Sequence, residues 1–233
     1  MGGKKIKPVR KMQKKPVLPP DTAFEKIKKW VDKNYAAAIG AGAAILFIII
    51  AVWGYSAHDR SMQASAKSEY GLLVSGFPAE GKGTSADWEN LIPELQKFIA
   101  RHNDTAPALD ARMELAKAFF QVKRYGDAIK TGEETLKLAP AGHSLRPLIM
   151  YQLGYAYQAD GKPDEAVQIW TGLKKLALPE LEREADWNLG RIFEGQKDLT
   201  RAAEMYQLAS KSPGEYPSAA LIDQQLAKVK SGE

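Results

Sequence analysis

Three rows of residues, spaced almost evenly along the chain, constrain its fold more than any other feature. Leu115, Ala116, Phe119 and Ala128 make the first row. Leu153, Gly154, Tyr157 and Ala166 make the second, and Leu189, Gly190, Phe193 and Ala202 the third. Each sets a large apolar residue beside a small one, with an aromatic three positions on and an alanine nine after that. The rows recur at intervals of 38 and 36 residues. Periods of that length belong to stacked two-helix units, none of which can bury its apolar face without its neighbours. The small residue is expected to face the alanine of the second helix, so that the two helices approach closely. The leucine and the aromatic then fill the seam on either side. Turn signals fall between the helices, at Lys123-Arg124-Tyr125-Gly126, Gly161-Lys162-Pro163 and Gln196-Lys197-Asp198. Pro163 suits a first helical turn, where its missing N–H is not needed, whereas Pro140 and Pro213 stop the helices that precede them.

These rows resemble the tetratricopeptide repeat, whose pattern places leucine, glycine and tyrosine on the first helix and alanine, an aromatic and proline later. The middle repeat matches at Leu153, Gly154, Tyr157, Ala166 and Trp170. The others match at Leu115, Ala116, Phe119, Ala128 and Pro140, and at Leu189, Gly190, Phe193, Ala202, Tyr206 and Ala209. Gly132 stands where an aromatic is usual, and both intervals exceed the 34 residues of the family's repeat. The resemblance implies an all-α chain in which residues 106–214 form an α-solenoid of antiparallel helical hairpins, with the first helices lining a concave groove that holds polypeptide. Carried over by the repeat alignment, the lining positions are Lys117 and Phe120, then Tyr151, Tyr155 and Gln158, then Trp187 and Arg191. The aromatics would act as apolar anchors, and Lys117 and Arg191 would hold backbone carbonyls or acidic side chains. The same rings also suit packing against the next hairpin, and for Tyr155 and Trp187 both roles stay open.

Charge divides the chain differently. Residues 1–33 hold eleven Lys/Arg against three Asp/Glu, whereas the rest hold 22 against 25, so the net +5 belongs to the amino-terminal segment. Residues 1–21 are Lys- and Pro-rich and are expected to be a disordered basic cytoplasmic tail. Residues 22–34 form a juxtamembrane amphipathic helix: Thr22 and Glu25 make a capping-box pattern, and Phe24, Ile27 and Val31 share a face. Then YAAAIGAGAAILFIIIAVWGY, residues 35–55, runs 21 residues without a charge. That length spans a hydrocarbon core of ~30 Å, with Tyr35, Trp53 and Tyr55 as interfacial aromatics. Lysines concentrated before the run keep the amino terminus in the cytoplasm and send the rest across, as an uncleaved single-pass signal anchor. Ala36, Gly40 and Ala44 form a small-residue stripe through which two copies could pair as a homodimer. Residues 56–105 are expected to form a membrane-proximal helical hairpin, in which Pro93 brings an early turn or kink. Residues 215–233 form a helix capping the array.

Nothing in the sequence points to catalysis. With no cysteine there is no thiolate site or disulfide framework. His58, His102 and His143 lack metal-ligand spacing, and no phosphate loop or nucleophile motif occurs, so no catalytic residue, metal or cofactor is expected. Glu133 and Glu134 read as a solvated face. The basic tail is better explained by membrane topology than by nucleic acid, and no nucleic-acid partner is expected. The layout as a whole, including TAFEKIKKWVDKNY and LAKAFFQVKRYGDA, resembles the ancillary subunits of the bacterial Sec translocon. That resemblance implies a single-pass protein of the bacterial inner membrane with a chaperone-like periplasmic repeat domain, whose partners are the translocon, exported polypeptides, periplasmic chaperones and the lipid bilayer. A structural scaffold for a secretion, pilus or respiratory assembly is the alternative.

Overall fold

The computed structural model describes residues 22–79 and 82–232, so the tail expected over residues 1–21 lies outside it. Among the described residues there are ten helices and no strand. The chain divides into two compact units, residues 1–58 and 59–233.

In the first unit, α1 (Ala23–Lys33) is started by Thr22. The Thr22 hydroxyl accepts from the Glu25 N–H at 3.3 Å, while the Glu25 carboxylate accepts from the Thr22 N–H at 3.2 Å. This reciprocal pair satisfies two of the donors that a helix start leaves open. Asn34 ends the helix, its backbone and side-chain N–H groups both returning to the Trp30 carbonyl. The next helix, α2 (Tyr35–Val74), is 40 residues long. Its most apolar stretch has a mean hydropathy of 2.5, and none of that stretch is buried. Ile45, Phe47, Ile49 and Trp53 are all exposed, so the apolar surface runs round the helix instead of along one stripe.

In the second unit the last turns of α2 join α3 (Ser85–His102), α4 (Ala106–Gln121), α5 (Tyr125–Leu138), α6 (Arg146–Ala159), α7 (Pro163–Lys174), α8 (Pro179–Gly195), α9 (Leu199–Lys211) and α10 (Ala219–Ser231). From α3 onward each helix packs on the next, and α4 also touches α6, so first helices neighbour one another along the array. Residues 59–74 meet α3 through Tyr70, whose ring lies 5.6 Å from that of Phe98, and Ala66, one turn earlier, is fully buried. Glu69 adds a polar clasp: its carboxylate pairs with Arg101 and lies 2.7 Å from His102 Nε2. Helix α3 begins at a second capping box, Thr84 with Asp87, and runs unbroken through Pro93, which lies on its exposed side. No turn interrupts the helix at Pro93.

Packing within the hairpins corrects one expectation. The small residue of the first helix faces the aromatic of the second, not the alanine. A Cβ built on Gly154 would stand 2.5 Å from the Trp170 ring, and one on Gly190 would stand 2.6 Å from the Tyr206 ring. Only a missing side chain leaves room for a ring that close to the helix backbone. Trp170 and Tyr206 are accordingly fully buried. The first hairpin inverts the arrangement. Ala116 replaces the glycine, and Gly132 replaces the aromatic. A Cβ on Gly132 would come within 2.8 Å of Leu153, so the next hairpin's leucine fills the space that an aromatic would have taken.

The three hairpin turns are equivalent. Lys123, Gly161 and Lys197 all have positive φ, of 60°, 71° and 61°. The residue after each donates its N–H back to Phe119, Tyr157 or Phe193, at 2.8, 2.9 and 2.9 Å. The aromatic of each row thus serves twice, with its ring in the seam and its carbonyl closing the turn. Polar side chains hold what apolar packing does not reach. Arg183 is buried, and its guanidinium donates to the carbonyls of Pro217, Ser212 and Gly214 at 3.0, 3.1 and 2.8 Å, fastening the α9–α10 connection. Glu133, on the exposed side of α5 as expected, also accepts the Tyr157 hydroxyl. Lys174, which looks like a surface lysine in the sequence, pairs with the buried Asp186.

Two variants separate these contributions, measured as thermal and denaturant melts. Gly154→Leu drives a side chain into Trp170 and is expected to destabilise by about 1–3 kcal/mol or more. Lys174→Ala leaves a carboxylate buried without its cation and should cost about 2–4 kcal/mol, well above an ordinary surface change. Burial already raises the Asp186 pKa, with Lys174 acting against it. A carboxyl raised above its unfolded value penalises folding above the folded pKa and does not below the unfolded one. The loss in Lys174→Ala should therefore be fullest at neutral pH and shrink as pH falls into the carboxylate range.

Candidate functional site

Two adjoining cavities run across the first helices of the array. One, of about 420 Å³, lies between α4 and α6 and is lined by Lys117, Phe120, Leu148, Tyr151 and Tyr155 among others. The other, of about 820 Å³, lies between the amino-terminal turns of α6 and α8, with leucines 176, 178 and 181 and Glu184 in its walls. They meet at Leu148 and Tyr151.

Four of the seven expected residues are brought together here: Lys117, Phe120, Tyr151 and Tyr155. The other three line neither cavity. Trp187 is buried, its ring 5.1 Å from Tyr206, so it is a packing residue and not an exposed anchor. Its side of α8 faces the helix's own hairpin partner, α9. Gln158 donates to the Gly154 carbonyl and, at 3.5 Å, to Asn188, bridging α6 and α8. Arg191 is exposed, further along α8 than Glu184.

The groove's chemistry centres on Glu184. Tyr151 and Tyr155 both donate their hydroxyls to Glu184 Oε1, the first at 2.7 Å. Asn188 donates to the Tyr155 oxygen at 3.1 Å and to the Glu184 carbonyl at 2.9 Å. The tyrosine rings stack edge-on to each other at 5.1 Å and edge-on to Trp170 at 5.8 and 5.2 Å. Burial first, and the bond to Glu184 next, hold both hydroxyls well above the usual tyrosine range, so they stay neutral donors. Lys117 is less available than its sequence position implies. Its ammonium sits 3.6 Å from Glu114 and 5.4 Å from the centre of the Trp88 ring.

Leu148 and Glu184 were not among the expected lining residues. Leu148 lies three residues before Tyr151 and seven before Tyr155, so helical phase alone would have placed it on their face. Glu184 reaches the groove from the next hairpin, and no local pattern announces it. Among the described residues no cluster of His, Asp and Glu could hold a metal ion.

A stacked array of helical hairpins with an apolar groove along its first helices defines a repeat scaffold of the protein-binding kind. The chain matches the family model of the tetratricopeptide repeat-like domain over residues 28–231, and it belongs to that family. Repeats of this type are interaction modules whose usual ligands are other proteins. No curated protein sequence matches the chain. Among solved structures it is similar to a Podosopora anserina protein assigned as a kinesin light chain with nearly identical TPR-like repeats. That match has 19% identity and a TM-score of 0.52, covering 74% of this chain and 85% of that one. A point variant of the same protein gives 18% identity and a TM-score of 0.53, with 74% and 84% covered. At such identity the likeness is one of fold.

Trp187→Ala should cost about 3–5 kcal/mol in stability, as expected for a large ring removed from a core. Leu148→Ala, at a half-exposed groove position, should cost under about 1 kcal/mol and instead weaken ligand capture. Melting curves set beside binding of an unfolded model protein distinguish the two roles.

Proposed function

We propose that this protein is a single-pass bacterial inner-membrane protein whose repeat unit, in the periplasm, holds extended segments of exported polypeptide beside the Sec translocon. It passes them on to periplasmic chaperones and acts by binding, without chemistry. The observation that carries this reading is the uncharged run from Tyr35 to Tyr55, none of it buried on its helix and preceded by eleven basic residues. In water such a surface would aggregate, whereas in a bilayer it is satisfied, and the lysines fix its direction. The family match begins at residue 28, ahead of this run, so the apolar helix falls within the family pattern and is not an unrelated extension. The groove supports the binding half, since its aromatic and leucine lining with a few placed polar groups suits an extended chain.

Topology and partner are tested separately. A reporter active only in the periplasm, fused after Glu233, should be active, and a reporter active only in the cytoplasm should be silent at the same point. The reverse result removes the periplasmic reading. Crosslinking in intact membranes followed by mild-detergent purification should recover translocon subunits with nascent exported chains. Recovery of one unrelated partner in fixed ratio would make the protein a scaffold instead.

A further inference from the structure

Sequence position alone assigns the groove's charge to Lys117 and Arg191 and so favours acidic segments of a ligand. The geometry points the other way: we infer that the groove selects segments carrying a lysine or arginine beside apolar residues, and that Glu184 is the group that receives the cation. This rests on the reading of the groove as a polypeptide-binding surface.

Each cation near the groove is already engaged. Lys117 is held by Glu114 and lies over Trp88. Arg146 donates to the carbonyls of Leu136 and Ala139, at 3.2 and 2.6 Å, and so serves the carboxyl end of α5. Arg191 lines neither cavity. The carboxylates that α8 brings to the groove are in the opposite state. Glu184 receives only neutral donors, both on Oε1, and among the described residues no lysine or arginine forms an ion pair with it. Glu180, one turn earlier on α8, faces the same 820 Å³ cavity and is exposed. A half-buried anion fixed by two tyrosines, beside Leu148, Leu178 and Leu181, complements a cationic head on an aliphatic stem. The tyrosines aim the carboxylate without neutralising it, so little rearrangement is needed on binding.

The test uses the full chain in detergent or nanodiscs and three labelled ten-residue peptides. These are identical leucine- and alanine-rich sequences with lysine, norleucine or glutamate at the centre. The lysine peptide should bind about tenfold tighter than the norleucine one, with the preference shrinking at high salt, and the glutamate peptide should bind weakest. Glu184→Gln keeps an oxygen to accept both tyrosine hydroxyls, so it should fold normally by circular dichroism. It should bind lysine and norleucine peptides equally. Equal binding of the lysine and norleucine peptides by the unaltered protein, or a lysine preference that survives Glu184→Gln, overturns the assignment of the cation site but leaves the groove. Binding of none of the three overturns the groove as well.

Discussion

The repeat unit depends on one contact made twice: a ring laid across a glycine. Trp170 over Gly154 and Tyr206 over Gly190 set how close the two helices of a hairpin come, and that distance fixes where the next hairpin can stack. A close-packed interior tolerates neither a void nor an added methyl at such a seam. The first hairpin, with Ala116 and Gly132 in those places, borrows Leu153 from its neighbour. Its core is therefore completed across the repeat boundary. This is the nearest-neighbour coupling that lets a solenoid behave as one unit and not as separate hairpins.

The same ring links packing to the groove. Trp170 is the back wall against which Tyr151 and Tyr155 stand edge-on, and those tyrosines in turn hold Glu184 from the following hairpin. The binding surface is thus an extension of the core, its side chains placed by contacts with fully buried neighbours. Rigid placement of this kind reduces the ordering that a ligand must impose.

Much of the fold was legible because it follows local rules. The rows at 115, 153 and 189 announced hairpins, Thr22 with Glu25 announced a helix start, and the 21 uncharged residues announced a helix with no polar face. What stayed hidden was long-range. Alanine and aromatic both follow the small residue at fixed distances, and spacing alone could not say which of them meets it. Trp187 shares its repeat register with groove positions, but the row of α8 that holds it turns toward α9. Lys174 looks solvated in sequence, and only the fold brings Asp186 beside it, just as it alone brings Tyr157 to the exposed Glu133. Glu184 stands 29 and 33 residues from its tyrosines, beyond the reach of any pattern read along one helix.

The three equivalent turns differ in one respect with a kinetic meaning. Gly161 enters the left-handed conformation freely, whereas Lys123 and Lys197 hold it against a steric preference of roughly 1–2 kcal/mol. In an unfolded chain the middle turn is therefore the one that closes most often, and it joins the pair of helices sharing the Gly154–Trp170 seam. Folding of the array is expected to start at this central hairpin and spread to both sides, each lysine turn closing only against a neighbour already in place. A chain that arrives amino terminus first would then wait for its middle before its first repeat becomes stable.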